Sequence, residues 1–521
     1  MKKYSVLLIA ISSIISFTAC NDWLSEKAPG VTSMSNFLTD ADRATQLVNG
    51  CYTPLMWEFN QTYFPEWFIG DVVSDDALKG GQSISDMSDV YDLENFKTQD
   101  NNGVLLQYYR AQYQGIGRCN LVIQDVSTMA LDAKMTQKLK DRLVGEAKFL
   151  RAMYYFRLVR IFGGVPKVDF VVPNDGWKQP RASADSIYAL IYRDLTQAIP
   201  VLYKKSEYAA TDLGRATKGA AQALLMKAYL YNKKYDLVKT LGDELIAANS
   251  YSLQSDYSKN FTLAGENGSE SVFEIQYMND PTSDFGDGNG FSRGTYSVVL
   301  TRSRNPIAGG WGFNKPTQNL YDEFETGDPR RDATIYNPSD AQIVNPVEEI
   351  YLGDRYLNKK YAMINPDESY APLNHPTRGE INNKVIRYAD VLLMYAEACC
   401  ELGDATSLTK AKGALELVRN RARNGNNAIL PAFPYGSYSD NQADLRTAIR
   451  HERRVELAME GHRWFDLVRW GVAAEVMNAY RDKETDGVKT NMLTFQKGKH
   501  ELFPIPAIEL NLNPMTQNTG Y

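Results

Sequence analysis

Apolar residues recur at helical spacing along much of the chain, and the clearest case is the stretch 383–423. Five apolar residues there follow one another at intervals of four, three, four and three, which places them on one face of a helix: Val385, Ala389, Leu392, Ala396 and Cys399. Gly403 and Asp404 then break the pattern, and a second apolar set begins a return helix. We therefore predict a helical hairpin in this stretch.

A related sequence occurs 168 positions earlier in the chain. LLMYAEACCELGD, which starts at Leu392, matches LLMKAYLYNKKYD, which starts at Leu224, in Leu-Leu-Met, in a small Ala and in an Asp at the turn. Repeated hairpins are typical of helical-repeat scaffolds, because one helix pair cannot bury both of its faces alone. The alternative is two unrelated amphipathic hairpins in one large helical domain. Further helices are predicted over residues 40–52, 104–126, 142–162, 185–202, 218–248 and 444–471.

Two long stretches lack this helical spacing. Residues 57–100 carry acids, glycines and aromatic residues without a period, which predicts a long loop. Residues 261–380 form a loop-rich insert between the two hairpins, with short strands predicted at 271–278 and 297–300. The fold class is therefore mostly α, a scaffold of helical hairpins with long loops and a few short β-strands. Long loops on a rigid scaffold are where recognition residues concentrate.

Charge and composition narrow the possible partners. The formal net charge is −6 and no basic stripe is present, so nucleic acid is not an expected partner. The chain contains 32 Tyr, 20 Phe and 7 Trp, which suits a carbohydrate-binding or peptide-binding surface because Tyr combines an apolar face with a polar tip. A large helical core would use the same residues, so composition does not choose between these explanations.

The amino terminus has the features of a secretion signal. Lys2 and Lys3 precede an apolar segment too short for the roughly 20 residues that a membrane-spanning helix needs, and Thr18-Ala19-Cys20 follows. This pattern resembles a bacterial lipobox, which predicts a signal peptide over residues 1–19 and lipid modification of Cys20. Residues 20–521 are expected to form a single domain. The other cysteines are expected to be free core residues: Cys51, Cys119, Cys399 and Cys400.

Three glutamates repeat at intervals of four in the predicted helix 444–471: Glu452, Glu456 and Glu460. Like charges at this spacing repel one another unless cations lie between them. We therefore predict a buried or half-buried network of ion pairs. The candidate cations are Arg453, Arg454 and Arg463, together with Arg419 or Arg421 from the preceding helix.

Several blocks of sequence, in order along the chain, resemble the SusD/RagB family. They are the lipobox at Cys20, the segment 146–166, the hairpin 383–423, RHERRVELAMEGHRWFDLVRWG at 450–471, and FPIPAIELNLNPMTQNTGY at 503–521. The resemblance implies a lipoprotein on the surface of a Gram-negative outer membrane, with a tetratricopeptide-like fold. It also implies non-catalytic binding of oligosaccharide or polysaccharide, or of peptides in some branches. The implied partner is a TonB-dependent transporter of the SusC type, which the protein closes as a lid.

A glycan site needs aromatic faces to stack on sugar rings and polar side chains to reach hydroxyl groups. Two loop regions, 71–96 and 285–313, supply this mixture. The predicted ligand-binding residues are Asp75, Asp76, Lys79, Tyr91, Phe96, Phe291, Arg293, Tyr296 and Trp311. Trp311 is the first choice, because the glycines on both sides of it are expected to clear space around its ring. The alternative for each aromatic residue is that it packs its loop onto the scaffold. Trp464 and Trp470 are assigned to the helical core.

No catalytic, metal or cofactor site is predicted, although a structural cation in the loops is not excluded. His451-Glu452 begins like the zinc motif HExxH, but Val455 stands where the second histidine would be. Glycosidase carboxylates are defined by their distance in space, so spacing along the chain does not exclude them. Three alternatives to glycan delivery remain open: a peptide-capturing lid, a surface glycoside hydrolase, and a structural lid without ligand affinity.

Overall fold

Helices dominate the computed structural model, which describes residues 37–58, 65–173, 176, 178–283, 292–304, 309–336, 351–352, 356–363, 373, 375–484 and 486–521. The described helices are α1 (Ala41–Tyr52), α2 (Trp67–Gly70), α3 (Ser88–Glu94), α4 (Gly103–Asp125), α5 (Gln137–Phe162), α6 (Ala184–Ala198), α7 (Lys218–Tyr231), α8 (Tyr235–Ala247), α9 (Ser297–Thr301), α10 (Gln318–Glu323), α11 (Pro329–Thr334), α12 (Tyr388–Leu402), α13 (Ala405–Arg423), α14 (Gln442–Glu456), α15 (Arg463–Trp470), α16 (Ala473–Lys483), α17 (Asp486–Asn491) and α18 (Ala507–Leu512). The described strands are β1 (Ala77–Gly80), β2 (Ser271–Ile275), β3 (Phe313–Pro316), β4 (Ile335–Tyr336), β5 (Leu357–Asn358) and β6 (Asn383–Arg387). The mostly helical fold class is confirmed.

The long helices form one continuous packed series. α1 packs on α4 and α5, α5 on α6, α6 on α7, and α7 on α8. α8 then packs on α12, and α12 on α13 and α14. A single large hydrophobic core runs through these contacts, with residues such as Leu150, Leu224 and Leu392 fully buried. Each helix buries one face on the helix before it and another on the helix after it, which is how a repeat scaffold stabilises itself.

The two matched hairpins are neighbours in space, as the repeat hypothesis requires. α7–α8 and α12–α13 contact each other through α8 and α12, and the small residues Ala228 and Ala396 are both fully buried. The turns differ in detail. Asp404 is the N-cap of α13 and accepts a hydrogen bond from the Ser407 amide, whereas Asp236 lies inside the first turn of α8. The match at the turn is therefore one of sequence rather than of structural role.

The start of the second hairpin was wrongly predicted as helix. Asn383–Arg387 is strand β6, which pairs antiparallel with β2, and α12 begins only at Tyr388. Val385 is therefore a strand residue and does not share a helical face with Ala389. The alternation of Lys384 and Ile386, both buried against β2, shows the period of two that distinguishes a strand.

The predicted helix 444–471 is two helices. α14 ends at Glu456 and α15 begins at Arg463, and between them Met459 and Gly461 have φ values of 62° and 77°. The Glu456 carbonyl, left without a helical partner, accepts hydrogen bonds from the Tyr257 hydroxyl and the Arg387 guanidinium. The break depends on side chains contributed by distant segments, which the local period does not reveal.

Two further predictions were wrong in the loop regions. Residues 57–100 contain α2, β1 and α3, and so are not one loop. Residues 297–300 lie in α9 and not in a strand, because the Glu58 carboxylate accepts hydrogen bonds from the Tyr296 and Ser297 amides at the start of that helix. This cap comes from a residue more than 200 positions away. The strand expected at 271–278 is confirmed as β2, with shorter bounds.

The predicted ion-pair network is present and buried. Each of the three glutamates is hydrogen-bonded to buried cations. Glu452 binds Arg330 and Arg419, and Glu460 binds Lys360 and Arg387. Glu456 binds Arg330, Arg387 and Arg421. Two of these cations, Arg419 and Arg421, were predicted. The prediction was wrong for the other named arginines, which face different acids: Arg453 pairs with Asp390 and Asp466, and Arg454 and Arg463 pair with Asp75.

The predicted signal peptide and the lipidation site at Cys20 lie outside the described residues, as does Phe291. Within the described part, no helix combines the length and apolarity needed to cross a membrane. Cys51, Cys119, Cys399 and Cys400 are free and buried, as predicted.

Candidate functional site

A two-stranded ribbon joins the two loop regions that the sequence singled out. β1 and β3 pair antiparallel with Gly80 opposite Phe313, and the Gly81 amide donates to the Gly312 carbonyl at 2.8 Å. The residues that follow β1 and those that precede β3 therefore lie at the same end of the ribbon. Trp311 and Ile84 at this end are both exposed, at 39% and 50%. Large exposed apolar side chains at one edge are a feature of ligand-contact surfaces.

Trp311 is held by its backbone and presents its side chain to solvent. Its amide donates to the Val299 carbonyl at 2.8 Å, and its ring meets the ring of Tyr296 at 88° with 5.1 Å between centroids. This is the edge-to-face arrangement that aromatic pairs favour. Tyr296 is only 3% exposed, so it supports the tryptophan from the interior.

The glycines around Trp311 shape the backbone more than they clear space at the ring. Gly309 and Gly312 have φ values of 61° and 69°, which favour glycine. Gly310 lies so close to Arg302 that a Cβ added there would be 2.2 Å from the Arg302 Cβ. The three glycines therefore let the chain pass tightly over α9 and present Trp311 outward.

Glu58 fixes the segment that carries Tyr296. Its carboxylate accepts from the Thr295 hydroxyl at 2.6 Å and from the Tyr296 and Ser297 amides at 2.8 and 3.1 Å. The Trp67 indole donates to the Ser297 hydroxyl at 2.9 Å. Burial raises the pKa of Glu58 above its ordinary value. Sequence reasoning missed this residue, since a lone glutamate in a loop gives no signal of a cap so far along the chain.

The aspartates predicted as ligand contacts are engaged with arginines in the interior. Asp75 is 3% exposed and Asp76 is 1% exposed. Arg463 Nε lies 2.8 Å from Asp75 Oδ1, and Arg454 Nε lies 2.8 Å from Asp76 Oδ1. Burial acts to raise the pKa of Asp75, but the two guanidinium groups lower it well below its usual range. These pairs fasten the first loop region to α14 and α15.

Lys79 is also interior. Its ammonium donates to the carbonyl oxygens of Gly80, Ser83 and Asp86 at 2.7, 3.1 and 2.6 Å, and it lies over the ring of Phe313. Burial lowers its pKa to about 8. The lysine therefore closes the turn after β1 onto β3, and so supports the edge on which Trp311 and Ile84 lie.

The remaining predicted residues occupy different places. Phe96 is 5% exposed and stacks on His500 with 5.2 Å between centroids, and Tyr91 is 8% exposed. Arg293 is exposed, and its guanidinium reaches Asp280 at 2.9 Å. The structure thus brings Tyr296 and Trp311 together on the ribbon edge and places Asp75, Asp76, Lys79 and Phe96 inside. A ligand contact for any of the nine residues stays a prediction.

Trp464 is fully buried in the helical core, and Trp470 is partly buried there. Trp464 is 1% exposed and packs against Phe96 and Phe495, whereas the partly buried Trp470 donates from its indole to Glu397 at 2.9 Å. Among the described residues, no group of three or more His, Cys, Asp or Glu side chains is arranged to hold a metal ion.

Comparison with protein families gives two matches. A family model described as "SusD family" matches residues 347–521, and one described as "Starch-binding associating with outer membrane" matches residues 23–230. Together they cover well over half of the chain. The chain belongs to the SusD family. The two matches lie on either side of the central region that contains Trp311, so neither family model covers Trp311 or β3.

Named SusD-like proteins match over nearly the whole chain. SusD-like protein P2 of Formosa agariphila is 26% identical over 552 aligned positions, which cover 100% of both chains. A solved structure titled as a laminarin binding SusD-like protein is 29% identical with a TM-score of 0.76, covering 92% of this chain and 99% of the other. Surface glycan-binding protein A from Bacteroides fluxus is 26% identical with a TM-score of 0.78, over 92% of this chain and 99% of that one.

Proposed function

We propose that this SusD-family protein binds oligosaccharide at the cell surface, without cleaving it, and delivers it to a partner TonB-dependent transporter of the SusC type. The observation that carries the binding proposal is the Trp311–Tyr296 pair at the end of the ribbon. One ring is exposed and the other is buried beneath it, so the exposed ring is held in place before a ligand arrives. A pre-positioned aromatic plane loses little conformational entropy when a sugar ring stacks on it.

The names of similar proteins support a glycan as the ligand. The two solved structures described above are titled as a laminarin binding protein and as a surface glycan-binding protein. One of the matching family models is described as starch-binding. Laminarin and starch are both glucose polymers, so a neutral glucan is the first ligand class to test.

The proposed location combines the lipobox with the family description. Cys20 follows small residues and an apolar segment, and the amino-terminal family model is described as associating with the outer membrane. We infer a protein anchored to the outer membrane by acyl chains on Cys20 and facing the cell exterior. Replacing Cys20 by Ala should abolish incorporation of labelled palmitate and release the protein from the membrane fraction.

The binding proposal is tested by titrating purified protein with laminarin and starch oligosaccharides in an isothermal calorimeter, beside a panel of other polysaccharides and of oligopeptides. Trp311→Ala should weaken glycan binding several-fold and up to about tenfold, because contact with an aromatic ring is worth about 0.5–1.5 kcal/mol and each 1.4 kcal/mol is a factor of ten. Phe170→Ala is the control, since Phe170 is an aromatic residue of similar exposure, 43%, outside the ribbon.

Three outcomes would overturn parts of this proposal. Binding of oligopeptides with silence across the glycans would favour a peptide-capturing lid. New reducing ends released from a bound glycan would favour a glycoside hydrolase. Equal glycan affinity in the wild-type protein and Trp311→Ala would remove the ribbon edge as the site. The transporter partner is tested separately, by co-purification with the protein from membranes dissolved in mild detergent.

A further inference from the structure

A groove in the helical scaffold has features of a second binding site. It lies between the amino-terminal half of α5, the carboxyl-terminal end of α6 and the short turn 126–128, and it encloses about 190 Å³. None of its walls comes from the ribbon or from the residues around Trp311. At ~30 Å³ per water, this space corresponds to roughly six water molecules. The groove is therefore large enough to admit a small polar group together with water.

The floor of the groove depends on a glycine. A Cβ added at Gly145 would lie 2.7 Å from Val201 Cγ2, so only glycine lets the end of α6 approach α5 this closely. Val144 and Val201 complete an apolar floor. Above it, polar side chains of α5 repeat at helical spacing on one face, at positions 137, 141 and 148. The result is an apolar base with polar walls, as in sites that bind small ligands.

Lys148 is the cation of this groove that no acceptor of the described residues binds directly, and the Asp194 and Asp141 carboxylates act on it only through space. Within the described ranges, no acceptor lies within hydrogen-bond distance of its ammonium group, although the residue is half-buried. Burial lowers the pKa of Lys148 below its ordinary value. The other charged groups that line the groove already have hydrogen-bond partners. The Lys140 ammonium donates to the Met129 carbonyl at 3.1 Å, and the Asp141 carboxylate accepts from the Gln137 side-chain amide at 2.7 Å.

An anion would complete this arrangement. Two lysines and one aspartate line the groove, so its charge balance favours a negative ligand. The Lys148 ammonium supplies up to three donors, and the Gln197 side-chain amide, on the opposite wall, supplies two more. A partly desolvated ammonium gains more from a charged acceptor than from water, because the surrounding dielectric is lower.

We propose that this groove binds the anionic group of an acidic saccharide, a carboxylate or a sulfate ester, with Lys148 as its ion partner. The site is separate from Trp311 and does not depend on glycan binding there. It would let one protein hold a neutral sugar ring at the ribbon and an acidic residue at the helical scaffold.

The experiment titrates purified protein with sodium glucuronate, glucose and sodium sulfate, following amide chemical shifts by NMR. We expect glucuronate to bind, sulfate to compete with it, and glucose to leave the groove resonances unchanged. Lys148→Gln should weaken glucuronate binding at least tenfold. Lys138→Gln, on the same helix with a side chain 69% exposed, should leave it unchanged. Trp311→Ala should also leave it unchanged, which separates this result from the proposed function.

Two results would overturn the proposal. One is glucose binding as tightly as glucuronate, which would show that charge does not select the ligand. The other is unaltered glucuronate affinity in Lys148→Gln. A melting temperature of Lys148→Gln within about 2 °C of the wild-type protein shows that the comparison is between folded proteins.

Discussion

The buried ring of Tyr296 meets the exposed ring of Trp311 edge to face, at 88° and 5.1 Å. Tyr296 comes from the start of α9 and Trp311 from the approach to β3, so the pair joins two segments across a tight backbone crossing. The arrangement ties the orientation of the solvent-facing ring to the packing of α9. Ligand affinity at the ribbon edge should therefore respond to changes in residues that no ligand touches.

Replacing Tyr296 by Leu should lower glycan affinity several-fold although Trp311 remains. Leucine fills part of the space but offers no aromatic edge, so the loss of an aromatic pair worth about 0.5–1.5 kcal/mol frees the tryptophan to rotate. Phenylalanine at the same position should retain most of the affinity. Calorimetric titration with the best glycan ligand measures both variants. A leucine variant that binds as well as the phenylalanine variant would contradict the coupling.

Replacing Glu58 by Ala should lower both thermal stability and glycan affinity. The change leaves the buried Tyr296 amide without its carboxylate acceptor, at a cost of about 1–3 kcal/mol, and leaves the Ser297 amide with the Thr295 hydroxyl as its acceptor. Glu58→Gln keeps an acceptor oxygen of the same reach and should recover much of both properties. Melting curves and titrations of the two variants provide the test. Unchanged affinity in the alanine variant would mean that the cap does not position Tyr296.

Replacing Glu456 by Gln should destabilise the protein by about 3–5 kcal/mol, because it removes from a buried network the one carboxylate charge that three guanidinium groups share. Arg330 and Arg387 lie 2.9 and 2.5 Å from this carboxylate, and Arg421 also bonds it. Glu416→Gln, whose side chain is 37% exposed and pairs with Arg423, is the control and should cost less than ~1 kcal/mol. Denaturant unfolding measures the free energy of each. Similar losses in the two variants would contradict the importance of burial.

Replacing Gly70 by Ala should destabilise the protein by about 3 kcal/mol, at the upper end of the usual cost of overpacking. A Cβ there would lie 2.1 Å from the Gly461 carbonyl oxygen, which is backbone and cannot turn away. Gly50, in α1, has nothing within 4 Å of its own Cβ position, so Gly50→Ala should stabilise by about 0.5–1 kcal/mol. Thermal melts should show a lower melting temperature for Gly70→Ala and a higher one for Gly50→Ala. An unchanged melting temperature for Gly70→Ala would mean that the backbones at Gly70 and Gly461 separate easily.

His451 predicts a dependence of stability on pH. Burial alone acts to lower its pKa, but the Glu323 and Glu325 carboxylates outweigh this effect and raise the pKa to about 9. Because the folded pKa exceeds the unfolded value near 6.5, the stabilisation is fully present below about pH 6.5 and is lost as pH rises through 9. The free energy of unfolding of the wild-type protein should exceed that of His451→Gln by roughly 2–3 kcal/mol at pH 6, and the gap should shrink by pH 9.5. A constant gap would refute the assignment.

Local sequence patterns predicted helix ends correctly where the residue that caps or ends the helix is its neighbour in the sequence. The expected α1 start is confirmed, since Asp40 accepts from the Arg43 amide at 2.9 Å, and the end of α5 at Phe162 is followed by Gly163 with φ of 69°. The glutamate network was predicted from spacing alone, because like charges at intervals of four require cations. Only some of the cations in this network were predicted. Arg330, Lys360 and Arg387 come from distant segments of the chain, and their closeness to the glutamates cannot be inferred from the sequence.

Candidate site residues were harder to predict than helices. Asp75, Asp76 and Lys79 have the chemistry of ligand contacts, and the structure engages all three with arginines or carbonyl groups in the interior. Exposure is a property of the folded surface, so residue type alone cannot separate a contact residue from a structural one. Trp311 and Tyr296 were both predicted as site residues. Only the tertiary structure shows that the buried Tyr296 ring supports the exposed Trp311 ring.

By itself, the sequence determined the helical scaffold and the repeated hairpin, because hydrophobic period and capping residues act over a few residues. Only the tertiary structure decided where α14 ends, that 297–300 is helix, and which aromatic ring faces solvent. Each of these depends on contacts between segments far apart in the chain, such as Glu58 with Ser297 and Arg387 with Glu456, and no local pattern encodes them.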